Sequence, residues 1–322
     1  MRDKLTTALK IVISLALIAL AFYMVDLRAV ALQLRRAQPI YFVLALLLYM
    51  LAIVVNGAKW QVLLRAQGVL VPFAAVLRFI FTGFFFNNFL PANVGGDVMR
   101  GFSLARYTDR SADAAVSVIV DRVIGLMAYM TTAVIAAIIA VNFSGHTELQ
   151  QVEWVAIVAL AALAMGFGVL LSRRLRALIA RIFQIRFLAP LAPLWGRISE
   201  AFGAYRFRYR ALLAAFGIAL IGIVCTTLVN WLLSRSMGGL MSFEAIALFN
   251  PLIALVLMVP ISIGGIGVSQ TAYPFFFGLA GVPADHALAV SILMQAIMFL
   301  GSLPGGVLWL IGKRQQPVVA RD

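Results

Sequence analysis

Cysteine, histidine and acidic residues are scarce in this chain of 322 residues. Its single cysteine, Cys225, excludes a disulfide framework within the chain. The two histidines, His146 and His286, are isolated, and no group of His, Cys or carboxylate side chains has the spacing of a metal site. Charged residues make up 12% of the chain, whereas an ordinary soluble domain has about 25%. These absences argue against a soluble enzyme, and we expect no catalytic site, metal or cofactor.

Hydrophobic residues, in contrast, make up 63% of the chain and form runs along its whole length. Many of these runs are long enough for a helix to cross a hydrocarbon core about 30 Å thick. They lack the alternation of polar and apolar residues that the strands of a membrane β-barrel require. The sequence therefore predicts an all-α, polytopic membrane protein.

The formal net charge is +14, which in a soluble protein would suit nucleic-acid binding. Here the basic residues lie in short segments between apolar runs, as the positive-inside rule describes, and no basic soluble domain is present to bind nucleic acid. The most basic segment, residues 172–210, has nine Arg and one Glu and is predicted to be a cytoplasmic linker. Its arginines either fix the topology or anchor the chain to anionic lipids.

The apolar runs divide the chain into predicted membrane helices. Residues 1–38 are expected to hold a first span at 11–25, preceded by basic residues, and an amphipathic helix that lies in the membrane interface. The loop at 142–153 has no Lys or Arg and is expected outside the cell. The other predicted full spans are residues 40–55, 112–141, 154–171, 212–233 and 287–311.

Two further apolar segments are predicted to enter and leave the membrane on the same side. Lys59 and Arg65 mark one cytoplasmic end and Arg110 marks another, so residues 72–106 between them would form a re-entrant hairpin. Residues 243–280 would form a second hairpin. It would enter from outside the cell, because the span at 212–233 is predicted to end there and the span at 287–311 to begin there. This topology places both termini in the cytoplasm.

The sequence also contains an internal repeat. The stretch "LPANVGGDV" from Leu90 matches "VPISIGGIGV" from Val259, and further along "SADAAVSVIV" matches "PADHALAVSI". Together with the opposite entry of the two hairpins, these matches predict inverted-topology repeats at residues 40–141 and 212–311. Broken helices in inverted repeats are typical of transporters that bind their substrate near the middle of the membrane.

Proline and glycine residues in the two matching motifs predict the helix breaks. Proline ends a helix, and paired glycines permit a turn and the close approach of another backbone or a ligand. If new helices begin at the glycine pairs, their N-terminal amides point into the membrane centre and favour negative charge. The alternative is simple helix packing through small residues. The positions are Pro91, Gly95, Gly96, Pro260, Gly264, Gly265 and Gly267.

Four charged residues fall at predicted membrane depth inside the first repeat. Asp97 and Arg100 are three apart and share a helix face, whereas Asp121 and Arg122 are adjacent and diverge by about 100°. An unpaired charge in the membrane costs at least about 2.5–3.5 kcal/mol. We therefore predict cross pairs, of Asp97 with Arg122 and of Arg100 with Asp121. The network is either purely structural or also exposed to an anionic substrate, and its two carboxylates are candidate proton carriers.

Uncharged polar side chains accompany these charges. The side chains of Asn87, Asn88, Asn93, Ser262 and Gln270 are expected either to hydrogen-bond a substrate or to cap the broken helices. An anionic head group is expected to contact Arg100, Arg122, Asn93, Gly95, Gly96, Ser262, Gly264 and Gly265. The positions expected to line the cavity or break the helices are Asn87, Asn88, Pro91, Pro260, Gly267 and Gln270.

Three segments carry a resemblance to a known family: "FNNFLPANVGGDVMRGFSLAR" at 86–106, "DRVIGL" at 121–126 and "VPISIGGIGVSQ" at 259–270. The chain resembles the lysylphosphatidylglycerol synthase transmembrane region, a flippase-like family, over almost its whole length. The resemblance implies a domain that translocates lipid. No soluble aminoacyl-transferase segment follows the last span, so lysyl-lipid synthesis is not expected. The family's characteristic positions correspond to Pro91, Gly95, Gly96, Asp97, Arg100, Asp121 and Arg122.

These observations predict a lipid flippase or transporter of the bacterial inner membrane, which moves an anionic, phosphate-bearing lipid by rocking one repeat against the other. Its partners would be membrane lipids, and an enzyme of a lipid or glycan pathway is a further candidate. Two alternatives stay open: a small-solute or ion transporter of the same architecture, and a non-transporting membrane partner of a glycosyltransferase. A laterally open groove would favour a lipid, and a closed aqueous vestibule would favour a solute.

Overall fold

The structure, a computed structural model, describes residues 27–88, 94–143, 192–258 and 262–312 and part of the residues between 154 and 178. Its elements of regular structure in these ranges are helices, as the sequence predicts. Their bounds are α1 Leu27–Arg36, α2 Pro39–Ala66, α3 Phe73–Asn87, α4 Val94–Thr108, α5 Ser111–Phe143, α6 Ala192–Gly203, α7 Tyr209–Ser236, α8 Phe243–Met258, α9 Val268–Gly278 and α10 Ala284–Gly312.

Four of the described helices, α2, α5, α7 and α10, are long and apolar enough to cross a membrane. The chain is therefore an integral membrane protein with several apolar helices, as predicted. Three of the four lie within a few residues of the expected spans, but α2 continues well past the predicted end at residue 55. The predicted span at 11–25 lies outside the described residues, and the span at 154–171 is described only in part.

The remaining apolar helices form two antiparallel pairs. In the first pair the ring of Phe79 on α3 lies 5.7 Å from that of Tyr107 at the far end of α4, while Asn87 and Gly96 meet at the other end. In the second, Phe249 on α8 stacks 5.8 Å from Phe277 on α9. α3 has 15 residues and α8 has 16. At 1.5 Å per residue both helices are well short of a core about 30 Å thick.

The packing of these eight helices follows one pattern twice. The pattern appears when α2 is exchanged with α7, α3 with α8, α4 with α9 and α5 with α10. Each substantial contact between two of these helices then corresponds to another substantial contact, and the contact between α2 and α7 corresponds to itself. The exchanged pairs are α3–α10 with α5–α8, α3–α4 with α8–α9, α4–α5 with α9–α10, α2–α3 with α7–α8, α2–α5 with α7–α10, and α5–α7 with α2–α10.

The amphipathic helix α1 packs on the beginning of α10. The amide nitrogen of Gln33 donates to Asp285 at 2.8 Å, and its amide oxygen lies 2.9 Å from Nδ1 of His286. The other ring nitrogen of His286 lies 2.9 Å from the hydroxyl of Ser234 at the end of α7. His286 is thus fully buried in a chain of hydrogen bonds that ties α1 to the bundle.

The predicted domain limits stay predictions. α2–α5 occupy residues 39–143 and α7–α10 occupy 209–312, close to the predicted repeats at 40–141 and 212–311. In the predicted linker at 172–210 the structure describes α6, which packs on α5, and the turn that leads into α7.

Candidate functional site

A cavity of about 320 Å³ lies among the eight packed helices. Each helix of both groups, α2–α5 and α7–α10, contributes to its lining, as does the turn between α8 and α9. The side facing α2, α4 and α5 is charged. The lining on α8 and α10 is mostly apolar, with Ile253, Ala254, Leu257, Met258, Met294 and Met298 beside the polar Asn250, Ser291 and Gln295.

The charged side of the cavity consists of five residues joined in one network. Asp121 forms an ion pair with Lys59 at 3.0 Å and accepts a hydrogen bond from Arg100 at 2.9 Å. Asp97 pairs with the same guanidinium nitrogen of Arg100 at 2.9 Å and also with Nε of Arg122. The structure therefore confirms both predicted cross pairs and adds Lys59 to them.

Local helix geometry brings these groups together. Asp97 lies in the first turn of α4, and Arg100 follows three residues later on the same face. Asp121 lies near the middle of α5, and Arg100 reaches it across the α4–α5 interface. The guanidinium of Arg100 also lies 5.0 Å from the ring centre of Trp60, whose indole nitrogen donates to Ser117 at 3.2 Å. This stacking fixes Arg100 between two carboxylates and an aromatic ring.

Among the described residues, cations outnumber carboxylates in this network. The three cations Lys59, Arg100 and Arg122 pair with the two carboxylates of Asp97 and Asp121. In addition, the buried Nε of Arg100 and the buried Oδ1 of Asp121 have no hydrogen-bond partner among the described residues. Buried charges in membranes are usually paired.

Lys59 is the residue that the sequence argument placed wrongly. Lys59 was interpreted as a cytoplasmic end marker, but it lies inside α2 and is 6% exposed. The error has a physical origin, because a lysine paired with a buried carboxylate can lie at a depth that an unpaired lysine avoids. The apolar residues that continue to Leu64 were the available signal.

A neutral hydrogen-bonded cluster between α7, α8 and α9 was also missed. The amide of Asn230 donates to Asn250 at 3.1 Å, and Tyr273 donates to the amide oxygen of Asn230 at 2.8 Å. Asn250 also donates to Thr226 and Thr227. Asn250, Tyr273 and Thr226 reach the cavity lining. This cluster connects α7, α8 and α9 without charged side chains.

Two of the polar motif residues, Asn87 and Gln270, cap helices, which is one of the two roles predicted for these residues. Oδ1 of Asn87 accepts from the backbone N–H of Gly96 at 2.6 Å, in the first turn of α4. Likewise Oε1 of Gln270 accepts from the backbone N–H of Gly267 at 2.7 Å, at the start of α9. Asn88 instead donates to Ser302 on α10 at 2.7 Å, which links the two halves.

The glycine pairs permit close backbone approach, but only one begins a helix. A Cβ on Gly96 would lie 2.5 Å from the carbonyl oxygen of Gly83, so α3 and α4 touch through glycine. The second pair lies in a turn, because α9 begins only at Val268, and the prediction that a helix starts at this pair was wrong. Gly264 and Gly265 have φ values of 60° and 75°, which disfavour side chains with a Cβ.

The sequence of this chain is similar to those of known membrane proteins. The sequence profile of the "Lysylphosphatidylglycerol synthase TM region" family matches residues 7–305. The chain belongs to this family. No solved structure matches the chain significantly.

Members similar to this chain include three UPF0104 membrane proteins. The protein of Pyrococcus horikoshii is 24% identical, over 95% of this chain and 97% of its own length. That of Methanocaldococcus jannaschii is 23% identical, over 98% of both chains. That of Methanothermobacter thermautotrophicus is 23% identical, over 91% of both chains. These relatives are archaeal, so the expected bacterial membrane stays a prediction.

The three segments that carry the family resemblance all contribute residues to the cavity lining, although some of their residues lie outside it. Gly95, Ser262, Gly267 and Gln270 are buried outside the described lining. Pro91, Asn93 and Pro260 lie outside the described residues. The predicted site residues that do line the cavity are Asn87, Asn88, Gly96, Asp97, Arg100, Asp121, Arg122, Gly264 and Gly265.

Replacing Asn87 by alanine is expected to lower the stability of the folded chain by about 1–2 kcal/mol, because the N–H of Gly96 loses its cap. A thermal unfolding midpoint in detergent micelles measures the change. Ser103→Ala, on the same helix as Gly96, is the matched control. Its hydroxyl only donates back to the carbonyl of Met99, and its removal should be close to neutral. Equal shifts for the two variants would show that Asn87 is not a cap in solution.

Proposed function

We propose that this family member transports lipid, and that it moves an anionic, phosphate-bearing lipid between the two leaflets of the plasma membrane. The observation that carries the proposal is the central cavity, whose described lining combines three cations and two carboxylates on α2, α4 and α5 with mostly apolar side chains on α8 and α10. A phosphate head group matches the charged side. The apolar side suits the adjoining hydrocarbon of a lipid better than it suits a small ion.

The proposed architecture is a pair of inverted repeats, each with a re-entrant hairpin. Three observations support it: the exchange of contacts between α2–α5 and α7–α10, the short lengths of α3 and α8, and the sequence match between the two glycine motifs. In this arrangement the hairpins enter from opposite faces and end at the cavity. Rocking one half against the other would expose the cavity to each leaflet in turn. Both termini are proposed to be cytoplasmic.

Lipid exchange in proteoliposomes tests the proposal. We expect the purified chain to speed the movement of fluorescent phosphatidylglycerol from the inner to the outer leaflet, as measured by dithionite quenching. Arg122→Gln should slow this exchange at least about tenfold, because it removes one of the three cations that line the cavity. Arg106→Gln is the matched control, since Arg106 is an exposed arginine on α4 outside the cavity lining.

Other outcomes distinguish the alternatives. Exchange that is equal with phosphatidylcholine, and unaffected by Arg122→Gln, would contradict recognition of an anionic head group. No exchange of either lipid by a folded chain would favour the non-transporting partner. The role of Asp97 and Asp121 as proton carriers is tested in the same liposomes by a pH gradient, which should change the rate in the wild type and not in the Asp97→Asn variant.

A further inference from the structure

A second recess lies at one end of the bundle, between the last turn of α2 and the first turn of α7. It has a volume of about 510 Å³ and is separate from the central cavity. We call it the α2–α7 groove. The groove is lined by Val62, Arg65, Ala66, Phe207, Arg208, Tyr209, Arg210 and Ala211.

The turn that forms one side of the groove is held in place by a buried tyrosine. Tyr205 is fully buried, and its hydroxyl donates to the carbonyl of Leu63 at 3.1 Å and lies 3.2 Å from Oε1 of Gln67. Burial raises the pKa of Tyr205, and the charges of Asp121 and Asp113 add to this, so the hydroxyl keeps its proton. The residues after Tyr205 are therefore fixed against the end of α2.

The side chains that follow Tyr205 are exposed and alternate between basic and aromatic. Phe207 is 77% exposed and Tyr209 is 60% exposed. Their neighbouring arginines stack on them, with Arg206 at 4.8 Å from the ring centre of Phe207 and Arg210 at 6.0 Å from that of Tyr209. Exposed aromatic rings of this kind are typical of the membrane–water interface.

The groove is positively charged without a neighbouring carboxylate. Three guanidinium groups, those of Arg65, Arg208 and Arg210, contribute to its described lining, and no acidic residue does. Guanidinium groups bind phosphate by paired hydrogen bonds. Because the groove lies where two adjacent long helices end, it sits at one surface of the membrane, at the depth of the lipid head groups.

We propose that the α2–α7 groove binds the phosphate of an anionic phospholipid from the leaflet beside it. The arginines hold the phosphate, and Phe207 and Tyr209 lie at the level where head group and acyl chain join. The groove is a site of its own, and its occupation does not depend on transport through the central cavity.

Photo-crosslinking in nanodiscs tests this proposal. The full chain is reconstituted in phosphatidylcholine with a trace of photoreactive phosphatidylglycerol, and mass spectrometry measures the labelling of peptides containing residues 62–66 and 205–211. We expect these peptides to be labelled, and the label to fall at least about fivefold in Arg65→Gln with Arg208→Gln. Arg35→Gln with Arg106→Gln is the matched control, because it removes two exposed arginines that do not line the groove.

Three results would overturn the proposal: equal labelling by photoreactive phosphatidylcholine, equal labelling of both double variants, or labelling that does not fall when the salt concentration is raised. The test is also independent of the central cavity. Arg122→Gln should leave the labelling of the groove unchanged while lipid exchange falls. A folded chain that labels at the groove but exchanges no lipid would contradict the transport proposal alone.

Discussion

Asp121→Asn is expected to destabilise the folded chain by about 3–5 kcal/mol. Asp121 is 3% exposed and forms ion pairs with both Lys59 and Arg100, so the asparagine would leave Lys59 without its described counter-charge. Arg100 would keep only its pair with Asp97. A titration with sodium dodecyl sulfate in mixed micelles measures the unfolding free energy.

Two comparisons make this result specific. Asp109→Asn should change the stability by less than about 0.5 kcal/mol, because Asp109 is exposed and its φ of 55° is one that asparagine readily adopts. Adding Lys59→Met to Asp121→Asn should recover part of the loss, since it removes the stranded charge. Simple additivity of the two substitutions would contradict the ion pair.

Gly305→Ala is the second substitution with a large expected effect, a loss of about 3 kcal/mol or more. A Cβ on Gly305 would overlap the backbone carbonyl of Phe81, so the methyl group would push α10 away from α3. A backbone carbonyl cannot rotate aside as a side chain can. The shift would also strain the hydrogen bond between Asn88 and Ser302, which lies on the same contact.

Gly217→Ala is the control for this effect. Gly217 also lies inside a long membrane helix, but nothing lies within 4 Å of a Cβ placed there. Alanine should therefore leave the chain unchanged or slightly more stable, by up to about 1 kcal/mol, because it favours the helix. The same sodium dodecyl sulfate titration compares the two variants, and an equal loss in both would mean that α10 and α3 do not pack as described.

The membrane helices were largely predictable because the lipid bilayer imposes them. A long run without charge, such as the one that forms α7, has to be a membrane helix, whereas the orientation that the arginines indicate stays a prediction. The end of α2 was missed because Lys59 looks like an interfacial residue until its partner on α5 is known. The late start of α9 was missed because three glycines with positive φ extend the turn beyond the glycine pair.

The site was predictable only where charge made it so. Asp97, Arg100, Asp121 and Arg122 could be paired because each needs an opposite charge and few are available. The cluster of Asn230, Asn250 and Tyr273 has no such constraint, since an asparagine can pair with many groups. Its members come from three helices, and no spacing along the sequence relates them. Only the tertiary structure brings them together.

The distribution of charge bears on how such a molecule can move. The ion pairs described in the structure join residues of α2, α4 and α5, apart from one. That one joins Arg110, in the turn before α5, to Asp113, three residues later on α5. Sliding α7–α10 past this part would separate amides, hydroxyls and hydrocarbon, but none of these described ion pairs. Separating opposite charges in a medium of low dielectric constant takes the most work. The helices α2, α4 and α5 would therefore stay together as one unit, and α7–α10 would move relative to them at a small electrostatic cost.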